Sequence, residues 1–169
     1  MKIIRIFEDD LFSFHYENEL HNELERLMKR WTNAEYLFDY AINNNVPDNI
    51  GFVSALFDQV TEIENTLEMI FQGKYPIGHF FMPLHFAEHG KMLSMQKGKI
   101  SRNQLRLYAL KIDENCFVIT GGAIKMTQKM SEHEETSNEL DKLIKARNHL
   151  NANGVFDNES FYEFITEQS

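Results

Sequence analysis

A single cysteine, Cys116, stands in the 169 residues of the chain. It excludes an intramolecular disulfide and any four-cysteine zinc site. Proline is almost as scarce, with three in the whole sequence, so few helices or strands are interrupted by it. No apolar run approaches the roughly 18–20 residues that span a bilayer. Met1–Phe7 begins like a signal peptide, but Glu8, Asp9 and Asp10 end it far too early. No membrane partner is expected, and the expected compartment is the cytoplasm. Positive charge is also short. The chain carries 17 Lys and Arg against 26 Asp and Glu, a formal net charge of −9, and a surface of that sign repels phosphate at long range. What is plentiful is core material: 43% of residues are hydrophobic and 12% aromatic, enough for a packed domain of this length.

The charge is unevenly distributed. Residues 1–90 hold six basic and fifteen acidic side chains, and residues 131–169 hold three and nine. Between them, residues 91–130 hold eight basic side chains (Lys91, Lys97, Lys99, Arg102, Arg106, Lys111, Lys125 and Lys129) and only two acidic ones, Asp113 and Glu114. A block of net charge +6 thus lies between flanks of −9 and −6.

Patterning divides the chain in a similar way. Ile-rich Met1–Phe7 reads as a strand. Leu20, Leu24, Leu27, Met28 and Trp31 recur at helical spacing, and Thr32-Asn33-Ala34-Glu35 predicts a capping box that restarts the helix. The Asn-rich stretch from Asn43 to Asn49 reads as a turn. Phe52, Leu56, Val60, Ile63, Leu67 and Ile70 predict a second helix closing near Gly73. These two arms, residues 20–43 and 50–72, form a predicted antiparallel pair. Beyond Pro76 the vocabulary becomes that of strands, strongest at Leu105–Ile112, with a hairpin at Asp113-Glu114-Asn115 leading to Cys116–Thr120. Gly121-Gly122 predicts a bend or bulge. Ser131–Glu134 is a second capping box opening a helix that Asn153-Gly154 closes, and the aromatic tail Val155–Phe164 is expected to dock on the core. The expected class is α+β in one domain: strand and helical pair over 1–75, a small antiparallel sheet over 76–130, C-terminal helix and docked tail over 131–169, with helices to one side.

Strand parity sets Arg106, Tyr108, Leu110 and Ile112 on one face and Leu105, Leu107, Ala109 and Lys111 on the other. The second set is the apolar one, so Arg106 and Tyr108 are expected on an open face where Lys125 and Lys129 converge with them across the hairpin. Arginine, lysine and an aromatic together hold phosphates and stack on unpaired bases.

Arg106-Leu107-Tyr108-Ala109-Leu110, the short hairpin, and Ala123-Ile124-Lys125-Met126-Thr127-Gln128-Lys129 resemble the core of the RelE/HigB superfamily of toxins from bacterial toxin–antitoxin pairs, over residues 102–150. The expected β-α-α-β-β-β-α order is also similar to that superfamily's. The resemblance implies a metal- and cofactor-independent endoribonuclease that cuts mRNA on the ribosome and is neutralised by an antitoxin, of helix-turn-helix type. It implies catalytic roles for Arg106, Lys125 and Lys129, with Tyr108 or Tyr162 stacking on a base. Arg102 and Lys111 of the basic block, and His133 beside Lys129 as a candidate acid or base, are further candidate substrate contacts. Met126 stands where the family motif commonly has a second lysine. The alternatives are a non-catalytic protein-binding module that keeps a toxin-like fold, and the gyrase-inhibiting branch of the superfamily.

Overall fold

A computed structural model describes residues 1–8, 10–126 and 134–168. It is a six-stranded sheet in the order β1-β2-β6-β5-β4-β3. The strands are β1 (Lys2–Phe7), β2 (Leu11–His15), β3 (Phe81–Pro83), β4 (Met95–Gly98), β5 (Leu105–Asp113) and β6 (Cys116–Ile124). Helices α1 (Glu23–Trp31), α2 (Ala34–Asn43), α3 (Asn49–Phe71) and the single turn α4 (Ile77–Phe80) lie between β2 and β3. Helices α5 (Glu134–Ala152) and α6 (Asn158–Glu167) follow β6. The class is α+β, as expected.

Two departures from expectation matter for function. The first is β2, which the sequence pattern did not reveal. It runs antiparallel to β1 but parallel to β6, with Leu11, Phe12 and Ser13 opposite Phe117, Val118 and Ile119. Four of its five residues are buried, because helices cover both faces there, and a strand buried on both faces loses its alternation. The second departure follows from the same cause. Leu105, Leu107 and Ala109 face the core formed with α1, α2 and α3, as parity predicts. Tyr108 and Leu110, expected on an open face, instead pack with Leu143, Ala146 and Leu150 of α5 and Phe161 of α6. The sheet is therefore a middle layer, and helices do not lie to one side only.

Local signals explain the element ends. Residue Leu20 is 90% exposed and precedes α1, whose cap is Asn22, accepting from the Glu25 N–H at 3.2 Å. At the break between α1 and α2 the cap is Asn33, which accepts from the Tyr36 N–H at 3.1 Å. Thr32, the expected cap, spends its hydroxyl on the Met28 carbonyl at 2.8 Å and so ends α1 instead of opening α2. Asn33→Ala should cost about 1 kcal/mol in denaturant unfolding. Thr32→Ala should cost well under half of that, and the reverse ranking would restore the capping box. Gly73, at φ +74°, follows α3 with the Lys74 N–H bonded to the Met69 carbonyl at 2.8 Å, the glycine stop predicted there. Of the predicted Ser131–Glu134 capping box, residues 131–133 lie outside the described residues, and α5 begins at Glu134.

The β5–β6 hairpin turns on two residues, Glu114 and Asn115, since Asp113 still pairs with Cys116. The predicted bulge is present: Tyr108 opposes Gly121 while Ala109 opposes Ile119, leaving Thr120 as the extra residue. Beyond Ile119, β6 has no β2 partner, and side chains complete its edge. The Tyr16 hydroxyl donates to the Thr120 carbonyl at 2.6 Å. The Gly122 and Ile124 N–H groups donate to Glu139 at 2.8 Å and Glu135 at 3.1 Å. Helix α5 is thus held against the sheet by carboxylates as well as by its apolar stripe. At the far edge, the Gln168 amide both accepts from the Ile3 N–H at 3.0 Å and donates to the Ile3 carbonyl at 2.6 Å.

Candidate functional site

The sheet register gathers the basic block. Lys97 of β4 stands opposite Tyr108, and Ala123 of β6 stands opposite Arg106. Directly opposed residues share a face, as do residues two apart on one strand. Lys97, Arg106 and Tyr108 therefore lie on the α5 side of the adjacent strands β4 and β5. Lys125 continues β6, its N–H donating to the Gln104 carbonyl at 2.7 Å. Gly98, between Lys97 and Lys99, is required where it is, since a Cβ would overlap the Phe80 ring and reach Phe81 at 2.9 Å.

The electrostatics are those of crowded cations. Burial, then the charges of Lys99 and Arg106, push the Lys97 ammonium below the ordinary lysine value. Burial, then Lys97, Arg106 and Lys99, do the same to Lys125. Burial also pushes the Arg106 guanidinium down. Among the described residues no carboxylate pairs with Lys97, Lys99, Arg106 or Lys125, although Lys91, Lys111, Lys142, Arg26 and Arg147 each have one. Arg106 spends Nη1 on the Asn103 and Leu105 carbonyls, while its buried Nε has no partner. The Tyr108 hydroxyl, on a residue 1% exposed, is also buried and has no partner among the described residues. Its phenol is pushed up, chiefly by burial. Unpaired cations beside unspent buried donors are an arrangement that an anion completes.

The structure brings together Arg106, Lys125 and Tyr108, and separates the rest. Tyr108 lies beneath α5, so it has a hydroxyl to offer but no ring face for stacking. Lys111 lies at the hairpin end of β5, bound to Glu114 at 2.9 Å. Tyr162 packs edge-on against Phe12 and Phe161, part of the seat of α6. Arg102 is exposed in the turn before β5 at φ +68°, and its charge is not among those acting on Lys97 or Lys125. Lys129 and His133 lie outside the described residues. Lys97 and Lys99 were counted in the basic block but not singled out. Their Lys-Gly-Lys spacing was visible, whereas the position of β4 beside β5 was not.

Among the described residues no group of three His, Cys, Asp or Glu side chains is placed to hold a metal ion, and no helix is long and apolar enough to cross a membrane. Comparison with protein-family models, curated proteins and solved structures finds no match to the chain.

Proposed function

We propose that the protein is a RelE/HigB-like toxin, a ribosome-dependent mRNA endoribonuclease neutralised by an antitoxin, and that Lys97, Lys99, Arg106 and Lys125 grip the message by its phosphates. The observation that carries this reading is the uncompensated four-cation cluster in a chain of net charge −9. An acidic protein that leaves a dense patch of cations without carboxylate partners among the described residues gains nothing in stability from it, since like charges repel. The cluster makes sense as a seat for a polyanion.

The chemistry follows from the residues. The 2′-oxygen attacks the adjacent phosphorus, the P–O5′ bond breaks, and the products are a 2′,3′-cyclic phosphate and a 5′-hydroxyl. Lys125, whose ammonium is weakened by burial and by its neighbours, accepts the 2′ proton in its neutral form. Arg106 offers its guanidinium to the charge that develops on the phosphoryl oxygens. Lys97, in its ammonium form, supplies a proton to the departing 5′-oxygen.

Induced expression should arrest growth, and Arg106→Ala with Lys125→Ala should relieve the arrest while the protein stays folded. Ribosome association of the wild type should fall with salt, and the salt slope should shrink by about one for each lysine removed. Expression without a defect in growth or translation would refute the reading. DNA damage in place of mRNA cleavage would transfer it to the gyrase-inhibiting branch.

A further inference from the structure

A depression of about 410 Å³ opens where the end of β1 meets α1 and α3. Its walls are apolar: Ile6 and Phe7 from β1, Leu24 and Met28 from α1, and Leu67 from α3. Leu24 and Leu67 are part of the core, while Ile6, Phe7 and Met28 remain half-exposed. Phe71, 63% exposed, packs on Phe7 with ring centroids 5.3 Å apart and carries the apolar strip onward along α3. An apolar trough of this volume takes side-chain anchors from a partner more readily than water.

The rim selects the partner. Glu25, Glu64 and Glu68 stand around the trough against one cation, Lys29. None of the three carboxylates pairs with a lysine or arginine among the described residues; Glu25 meets His21 at 3.3 Å, and Glu68 accepts from the Gln72 amide at 3.0 Å. The surrounding residues 1–90 carry net charge −9. That field disfavours an anionic lipid surface and a second copy of this face, because both bring further negative charge. We infer that the trough is a docking site for a basic amphipathic helix of another protein, with apolar side chains at i, i+3, i+4 and i+7 in the trough and Lys or Arg on the rim carboxylates. The inference stands apart from the toxin reading, since it involves the opposite side of the sheet and none of the cluster residues.

The probe is a dye-labelled peptide of about 16 residues, long enough to form a helix, with leucines at those positions and lysines elsewhere. Its counterpart carries glutamates in place of the lysines. Titrated with the full chain, the lysine peptide should bind and the glutamate peptide should not. Met28→Glu should weaken the lysine peptide about tenfold or more. Glu64→Lys with Glu68→Lys, at two exposed positions where folding is not at stake, should weaken it by a similar factor and admit the glutamate peptide. Arg106→Ala with Lys125→Ala should leave peptide binding unchanged. Equal binding of both peptides, or indifference to Met28→Glu and to the rim reversal, would overturn the inference. So would concentration-dependent dimerisation abolished by Met28→Glu, which would assign the trough to a second copy.

Discussion

Gly122→Ala should lower the free energy of unfolding by about 3 kcal/mol, at the upper end for an overpacked interior. A Cβ on Gly122 would stand 2.6 Å from the Arg106 carbonyl oxygen and 2.9 Å from both the Leu27 methyl and the Trp31 ring. The first neighbour is backbone of the paired strand and cannot move without opening the β5–β6 ladder. The third is the largest fully buried side chain in the molecule, and its indole N–H is already buried without a partner. Neither helix nor strand can yield cheaply. Denaturant unfolding followed by circular dichroism reads the loss as a drop in midpoint at unchanged slope. A loss below about 1 kcal/mol would mean that α1 can lift from the sheet at little cost. Because the Arg106 carbonyl must give way, the variant should also shift the backbone that carries the Arg106 side chain on the opposite face and so weaken the cation cluster.

Lys142→Ala should cost a similar amount, about 3 kcal/mol at neutral pH, with a pH signature that Gly122→Ala lacks. The Lys142 ammonium lies between Glu23 at 2.9 Å and Glu139 at 3.1 Å, and 5.0 Å from the Tyr16 ring. Those carboxylates are 2% and 8% exposed. Arg26 completes the network, its Nε donating to Glu23 at 2.8 Å. Burial alone would raise the Glu23 carboxyl, but the Arg26 hydrogen bond and the Lys142 charge overcome it and hold the group below the usual carboxylate range. A carboxyl depressed in the folded state stabilises above its unfolded value of about 4.5, and that contribution disappears as pH falls through the folded value. The gap between wild type and Lys142→Ala should therefore be widest at neutral pH and narrow below about 4.5. Glu23 keeps Arg26 in that variant, so Glu139→Gln added to Lys142→Ala should recover part of the loss by removing the carboxylate left without its cation while keeping an acceptor for the Gly122 N–H. A pH-independent difference would reduce Lys142 to a packing role.

What was legible in the sequence depended on whether one chain segment carried its own signal. Helix α3 repeats its apolar residues over many turns, and the β5–β6 hairpin has alternation, a turn and a two-glycine bulge within twenty residues of each other. Strand β2 is five residues with no alternation, since Phe12 and Phe14 serve one layer while Leu11 and Ser13 serve the other. The aromatic tail after Gly154 docks on the core as its composition predicts, but Phe156, Phe161, Tyr162 and Phe164 hide the helix that Asp157 caps with Ser160.

The cation cluster divides along the same line. Arg106 and Lys125 follow from parity on one hairpin, so local sequence suffices to pair them. Lys97 and Lys99 enter only because β4 lies beside β5, and sheet order is a property of the whole chain. Tyr108 shows the limit of parity. Its face was assigned correctly relative to Leu107, yet nothing in β5 says that α5 returns to cover that face.

The double hydrogen bond between Gln168 and Ile3 has a consequence for how the molecule meets its neighbours at high concentration. Strand β1 is an outer strand of the sheet, and its unpaired backbone groups form a template on which another chain's strand can add. At Ile3 that template is already occupied, because a side-chain amide presents one donor and one acceptor, as a peptide group would. The charges of Lys2 and Arg5 flank the occupied position. An invading strand must first displace Gln168 and then lie between two cations, so growth of the sheet into a multi-chain ladder is blocked at this edge by one amide on the residue that caps the end of α6.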